Sequence, residues 1–158
     1  MFLHPEEAII EEVIEVYADL LSKGYSAILG YSSGKDSEVC LGTWLVAVDR
    51  LKKKGVKISK QYLITADTLV ENPEIDNLKH SKLSALKDYC ELNNIPLEIH
   101  ISKPAIMSSW QARVIGGRGL PTTVNSTYRQ CTHELKIQGN DKTLRSIKEK
   151  LTKKEKDK

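Results

Sequence analysis

Apolar residues recur along the chain with two different periods, and together they predict helices separated by short strands. From Pro5 to Lys23 they recur every three or four positions, which is typical of an amphipathic helix. The same pattern predicts helices over about residues 37–54 and 72–93, and short apolar runs predict strands at residues 25–31, 61–66 and 96–102. Because helices separate the strands, we expect right-handed crossovers and a mainly parallel sheet in a three-layer α/β/α domain.

The apolar face of each helix gives the expected core. We expect the first helix to bury Ile9, Ile10, Val13, Ile14, Tyr17, Leu20 and Leu21, the second Val39, Leu41, Trp44, Leu45, Val48 and Leu51, and the third Ile75, Leu78, Leu83, Leu86, Tyr89 and Cys90. After Pro104 the pattern loosens, with a helix expected over residues 105–115, a loop over 116–121 and a last helix over about 141–153. This organisation predicts one domain over residues 1–140, followed by a basic C-terminal helix or tail over residues 141–158.

Composition narrows the class of protein. The net charge of +3 is uneven, since residues 136–158 carry nine Lys or Arg and four Asp or Glu. Such a segment can attract nucleic-acid phosphates, although a solvated helix end is the more ordinary interpretation.

No apolar run reaches the roughly 20 residues of a membrane span, and the N-terminus lacks a secretory pattern. With three widely spaced cysteines and no expected disulfide framework, a cytoplasmic protein is predicted.

The turn Ser32-Ser33-Gly34-Lys35-Asp36-Ser37, between the first strand and the second helix, carries the most informative chemistry. Its backbone N–H groups would point at one spot at the positive end of a helix dipole, and Lys35 adds a full charge. The common nucleoside-triphosphate loop does not fit, because Leu29 stands at its first glycine and Asp36 at its hydroxyl residue. The dinucleotide pattern of three glycines is missing as well. We therefore expect an anion site of another kind.

The turn resembles the Ser-Gly-Gly-x-Asp-Ser motif of the PP-loop ATP pyrophosphatases, with Ser33 in place of the first glycine. In that family the loop grips the β and γ phosphates of ATP, the α-phosphorus is attacked, and pyrophosphate leaves. The resemblance implies an adenine nucleotide alpha hydrolase-like fold, ATP as substrate and Mg²⁺ as its companion. It also implies that Ser32 to Ser37 bind the nucleotide and that Lys35 and Asp36 are catalytic, with Asp36 shaping the turn or positioning the magnesium ion.

Further segments narrow the resemblance to one branch of the family. Ala66-Asp67-Thr68-Leu69-Val70-Glu71-Asn72-Pro73 follows the second strand, and Trp110 to Gly116, Gly119 to Pro121, Tyr128 to Thr132 and Leu135 to Ile137 come later. With the turn, this succession is similar to the phosphoadenosine-phosphosulfate reductase-like proteins, and most of all to the DndC-type sulfurtransferases of DNA phosphorothioation. The resemblance covers about residues 26–140.

The resemblance also suggests roles for residues outside the turn. It places Asp67 and Thr68 near the nucleoside, although Asp67 also fits an ordinary turn residue. Arg118 and Lys136 are candidates to clamp the polyphosphate or a nucleic-acid phosphate, and for Arg118 a solvated loop arginine is the alternative. Arg113 is expected to be a surface residue.

Cys131 is the one cysteine outside a predicted helix, and its basic neighbours Arg129 and His133 favour the thiolate. In DndC-type proteins this segment is associated with an iron–sulfur cluster, which needs four thiolates, whereas this chain has three cysteines. We therefore expect no complete cluster in this chain alone. A sulfur carrier, a ligand shared with another chain and a bystander thiol remain open for Cys131. Cys40 and Cys90 are expected to be small core residues.

The sequence thus predicts an ATP-dependent adenylating component of a sulfurtransferase, activating a DNA backbone phosphate. A cysteine desulfurase and other phosphorothioation proteins are the implied partners, and a homo-oligomer is compatible with the sequence. One alternative is a sulfonucleotide reductase, although its nucleophilic C-terminal cysteine has no counterpart in residues 136–158. A second is a nucleotide-binding remnant that acts with a partner, because DndC-type proteins continue beyond Lys136-Ile137. A third is DNA binding through the basic tail alone.

Overall fold

A computed structural model describes residues 5–117 and 132–156 of the chain. Its first part consists of α1 (Pro5–Ser22), β1 (Ile28–Gly30), α2 (Lys35–Lys53), β2 (Gln61–Ala66), α3 (Pro73–Leu92) and β3 (Leu97–Ser102). These are followed by a 3-10 turn (Ile106–Ser108), α4 (Trp110–Ile115), a π-helical turn (His133–Ile137) and α5 (Gln138–Lys156). Most of the loop expected over residues 116–121 lies outside the described residues. None of the described helices has the length and hydropathy needed to cross a bilayer.

The three strands form one sheet in the order β1-β2-β3. Gln61 N donates to Pro96 O at 2.7 Å, and six residues further along both strands Asp67 N donates to Ser102 O at 2.8 Å. Equal steps in the same direction identify β2 and β3 as parallel strands. The predicted α/β class with a parallel sheet is therefore confirmed for the described residues.

The described residues fall into two compact units, which divide β2 and β3 between them. The first unit extends to Leu63 and includes Asn77–Ile99, and the second comprises Ile64–Asp76 and the described residues from His100 onwards. The main core lies in the first unit and consists of Ile14, Leu21, Leu29, Tyr31, Leu41, Trp44, Ala47, Val48, Leu51, Ile58, Leu63, Leu83, Leu86, Cys90 and Ile95. Most of these residues come from the predicted helix faces and strands.

Fewer residues of the helix faces are buried than the sequence predicts. On α1 only Ile14 and Leu21 of the seven expected residues are buried, while Tyr17 is partly buried. The other residues expected inside but found exposed are Ile9, Ile10, Val13, Leu20, Val39, Ile75, Leu78 and Tyr89. Ile14 and Leu21 are two helical turns apart, so α1 buries a narrow stripe rather than a broad face. Cys40 is exposed as well, so its expected place in the core was wrong, whereas Cys90 is buried as expected.

A buried glutamine fixes β1 beside β2 in the first unit. The Gln61 side chain is fully buried, and its Oε1 accepts a hydrogen bond from Ala27 N at 2.7 Å. Its Nε2 donates to Tyr25 O at 3.2 Å and to Ser59 O at 2.8 Å. Because a buried amide is costly unless it is hydrogen-bonded, these bonds specify where β1 begins. They thereby position the turn that follows this strand.

In the second unit, the start of α5 packs closely against the end of β3. Ser102 Oγ hydrogen-bonds to the Asn140 side chain and donates to Thr65 O at 3.3 Å. Gly139 is buried, and a Cβ atom there would lie 3.0 Å from Lys103 O. A glycine at this position therefore permits the close approach of α5 to the end of β3. The helix begins at Gln138, three residues before the predicted start.

Candidate functional site

The turn after β1 leads directly into the 19-residue helix α2. Gly34 precedes the helix with an extended backbone (φ −87°, ψ 165°), and as a glycine it supplies no capping side chain. The N–H groups that precede the first i to i−4 hydrogen bond of a helix have no partner within it, and the positive end of the helix dipole lies at the same place. Lys35 and Asp36 are both exposed in this first turn. An anion such as a phosphate would satisfy the N–H groups and the ammonium together.

Serine hydroxyls hold the turn in shape. Ser37 Oγ donates to Gly34 O at 2.9 Å and accepts a hydrogen bond from Ser32 N at 3.3 Å. Ser32 Oγ lies 3.2 Å from Ser37 Oγ and accepts from Gly34 N at 3.4 Å. The structure therefore brings Ser32 to Ser37 together in one closed turn, in which two serines act as internal braces.

Ser33 adopts a left-handed backbone conformation, with φ of 61°. Glycine visits this region readily, whereas a residue with a Cβ atom is strained there. Ser33 is also the residue that stands where the PP-loop motif has its first glycine. A glycine at this position would therefore relieve the strain of the turn.

Replacing Ser33 separately with glycine and with alanine is expected to reverse the usual stability order of these two residues. Both variants lose the hydroxyl, but only alanine keeps the Cβ atom, so we expect Ser33→Gly to be about 1 kcal/mol more stable than Ser33→Ala. At an ordinary position glycine is the less stable residue by about 0.5–1 kcal/mol. Urea unfolding of both variants measures the difference, and an alanine variant as stable as the glycine variant would contradict the left-handed turn.

Three residues beside the turn were not identified from the sequence. Glu38 Oε1 accepts hydrogen bonds from Tyr31 OH at 2.7 Å and from Lys82 Nζ at 2.6 Å. The Lys82 ammonium also lies 3.5 Å from Ser33 O. Tyr31 and Glu38 flank the turn in sequence, so their positions could have suggested a role. Lys82 comes from α3, and no local pattern distinguishes it from the other lysines of that helix.

This network has a definite charge state at neutral pH. The hydrogen bond from Lys82, followed by the one from Tyr31, lowers the pKa of the Glu38 carboxyl below its ordinary value. Burial, together with the bond to Glu38, raises the pKa of Tyr31 to about 12. Tyr31 is therefore a neutral donor, and Glu38 is an ionised acceptor close to the candidate anion site.

Asp67 and Thr68 follow β2 and lie in the second unit. Asp67 Oδ1 accepts from Leu69 N at 3.0 Å, and its Oδ2 lies 3.4 Å from Lys103 Nζ. The Thr68 side chain is buried and donates to Glu71 Oε1 at 3.1 Å. Asp67 thus forms the turn that its sequence position also allowed, and the expected contact with a nucleoside stays a prediction.

Lys136 lies in the π-helical turn of the second unit, with a side chain that is 52% exposed. Its Nζ is 3.8 Å from Glu71 Oε1, the carboxylate oxygen that Thr68 also contacts. The structure therefore brings Thr68 and Lys136 to one carboxylate. The long and open ion pair leaves the Lys136 ammonium accessible to another anion, and its phosphate contact remains a prediction.

Arg113 is not the surface residue that was expected. Its side chain is only 14% exposed and pairs with Glu134, a residue of the π-helical turn. The helical pattern of residues 110–115 could not indicate this, because the partner lies far along the chain.

Two candidate residues, Arg118 and Cys131, lie outside the described residues. Of the other cysteines, Cys40 is exposed on α2, and burial raises the pKa of the Cys90 thiol on α3 to about 11. Within residues 5–117 and 132–156, no group of three or more His, Cys, Asp or Glu side chains could hold a metal ion. These two cysteines do not provide the thiolate set of an iron–sulfur cluster.

Comparison with known proteins gives no family assignment: no protein-family model, curated protein or solved structure matches the chain.

Proposed function

We propose that the protein is an ATP pyrophosphatase of the PP-loop type, with an adenine nucleotide alpha hydrolase-like fold, that serves a DndC-type sulfur transfer. The observation that carries the proposal is the uncapped first turn of α2, which presents its N–H groups and Lys35 directly after a parallel strand. Ligands of such sheets bind at the carboxyl ends of strands. The left-handed Ser33, standing where the motif has glycine, supports the same assignment.

In the proposed reaction, the N–H groups of the turn bind the β and γ phosphates of ATP. An oxygen of the acceptor attacks the α-phosphorus, and the bond from this phosphorus to the bridging oxygen breaks. Pyrophosphate leaves with the electron pair, and Lys35 stabilises the charge that develops on it. The adenylated oxygen is then a good leaving group, so a sulfur nucleophile can displace AMP from the acceptor.

Magnesium would enter this reaction with the nucleotide. Mg²⁺ typically uses one or two carboxylates together with substrate phosphates, and the exposed carboxylate of Asp36 beside the turn fits that donor set. When bound, the ion would neutralise charge on the triphosphate. We further propose that Asp67 and Thr68 contact the nucleoside and that Arg118 and Lys136 contact phosphates.

The proposed acceptor is a backbone phosphate of DNA, and the sulfur would come from a cysteine desulfurase acting with other phosphorothioation proteins. The resemblance of the sequence supports both. An iron–sulfur cluster has no part in the proposal, because the whole chain has three cysteines and a cluster needs four thiolates.

The experiment is an assay of pyrophosphate release from ATP and Mg²⁺, with and without DNA. We expect release by the wild-type protein, with AMP or an adenylated acceptor as the second product, and stimulation by the acceptor. ATP binding without release under any condition would instead establish a nucleotide-binding module. Release of sulfite from a phosphosulfate substrate would identify a reductase, and salt-sensitive DNA binding without nucleotide binding would assign function to the basic tail.

A further inference from the structure

A lysine from α3 reaches the candidate phosphate turn, although it is 45 residues beyond Ser37 in the sequence. Lys82 Nζ lies 2.6 Å from Glu38 Oε1 and 3.5 Å from Ser33 O. Both side chains of the ion pair are a little over one third exposed. The pair therefore lies at the rim of the turn, where solvent and a ligand can both reach it.

Glu38 creates an electrostatic problem for a phosphate site. It lies in the first turn of α2, and Glu38 N donates to Gly34 O at 3.0 Å. A carboxylate at this end of a helix competes for the positive dipole that a phosphate would use. Without a counterion, its charge would also repel a bound triphosphate.

We infer that Lys82 is a positioning residue of the phosphate turn, which holds the Glu38 carboxylate and cancels its charge beside the anion site. This inference rests on the proposed function, because it concerns anion binding by the same turn. Tyr31 is the second donor to the Glu38 carboxylate, since its hydroxyl donates to the same oxygen at 2.7 Å. Glu38 is thereby held in place with both a neutral and a charged donor.

A purely structural ion pair and a charge-balancing ion pair predict different changes in anion affinity when Glu38 loses its charge. If the pair only braces the turn, removing either member weakens anion binding. If Lys82 balances charge, removing Lys82 weakens binding because Glu38 is left unpaired, whereas removing the charge of Glu38 does not weaken it. The combined replacement then restores binding, because no unpaired carboxylate remains.

The test measures the binding of inorganic tripolyphosphate and of ATP by calorimetry at low ionic strength. The proteins are the wild type, Lys82→Met, Glu38→Gln, the double variant and Lys82→Arg. Lys87→Met is the matched control, because Lys87 lies on the same helix and pairs with the exposed Glu91 at 3.8 Å. Thermal unfolding of each variant verifies that it is folded, and the double variant and Lys82→Arg carry the test if Lys82→Met does not fold.

We expect Lys82→Met to bind tripolyphosphate about fivefold more weakly than the wild type. Glu38→Gln should bind at least as tightly as the wild type, because it removes a negative charge beside the site. The double variant, Lys82→Arg and Lys87→Met should bind within about twofold of the wild type. If the wild type binds tripolyphosphate and Lys82→Met binds it equally well, this inference is overturned while the proposed function stands. The same holds if Glu38→Gln or the double variant binds as weakly as Lys82→Met. A wild-type protein that binds neither probe would overturn the proposed function itself.

Discussion

Replacing Lys35 with alanine is expected to lower the kcat/KM of pyrophosphate release at least about 100-fold. The ammonium of Lys35 is the full positive charge within the turn, and the leaving pyrophosphate gains charge as the bond to the α-phosphorus breaks. Because Lys35 is exposed, its removal should leave the free energy of unfolding unchanged to within about 0.5 kcal/mol. Steady-state assays combined with urea unfolding separate the two effects.

Lys57→Ala is the matched control for this prediction. Lys57 is likewise an exposed lysine of the first unit, but it lies between α2 and β2, outside the turn. We expect its loss to change kcat/KM less than about twofold. Equal activity of the Lys35→Ala variant and the wild type would contradict a role of this ammonium in the reaction.

Replacing Trp44 with alanine should destabilise the protein by about 3–5 kcal/mol. The Trp44 side chain is completely buried in the core of the first unit, where α2 packs against α1. Alanine would remove most of the buried apolar area at this position and leave a cavity. The free energy of unfolding from urea denaturation measures the loss, which is a large part of the total for a small domain.

Two further variants test the cause of this loss. Val46 is exposed on the same helix, so Val46→Ala should cost no more than about 0.5 kcal/mol. Trp44→Phe should cost clearly less than Trp44→Ala, because it keeps an aromatic ring and removes an indole Nε1–H that has no hydrogen-bond partner among the described residues. A Trp44→Ala variant as stable as Val46→Ala would contradict the core described above.

Local patterns were sufficient to locate the secondary structure up to residue 102. β2 spans Gln61–Ala66, as its apolar run predicted, because a buried parallel strand is apolar on both faces. The turn at Ser32 to Ser37 was also identified, since its residue types and its place between strand and helix are both local features. The helical pattern of α1 gave its bounds to within one residue.

The partners of side chains could not be read from the same patterns. The period of α1 shows that one face is apolar, but only packing against α2 decides that Ile14 is buried and Ile9 is 62% exposed. The contacts of Lys82 and Arg113 likewise depend on residues distant in sequence. The left-handed conformation of Ser33 was not predicted from the sequence either, because serine rarely adopts a positive φ.

We propose above that the turn at Ser32 to Ser37 binds the two terminal phosphates of ATP. The most direct measurement is a crystal structure with Mg²⁺ and an ATP analogue that carries a methylene group between the α and β phosphates. We expect the β and γ phosphates within hydrogen-bond distance of the N–H groups at the start of α2, with Lys35 beside them and the α-phosphate open to solvent. Phosphates bound elsewhere on the chain would contradict it.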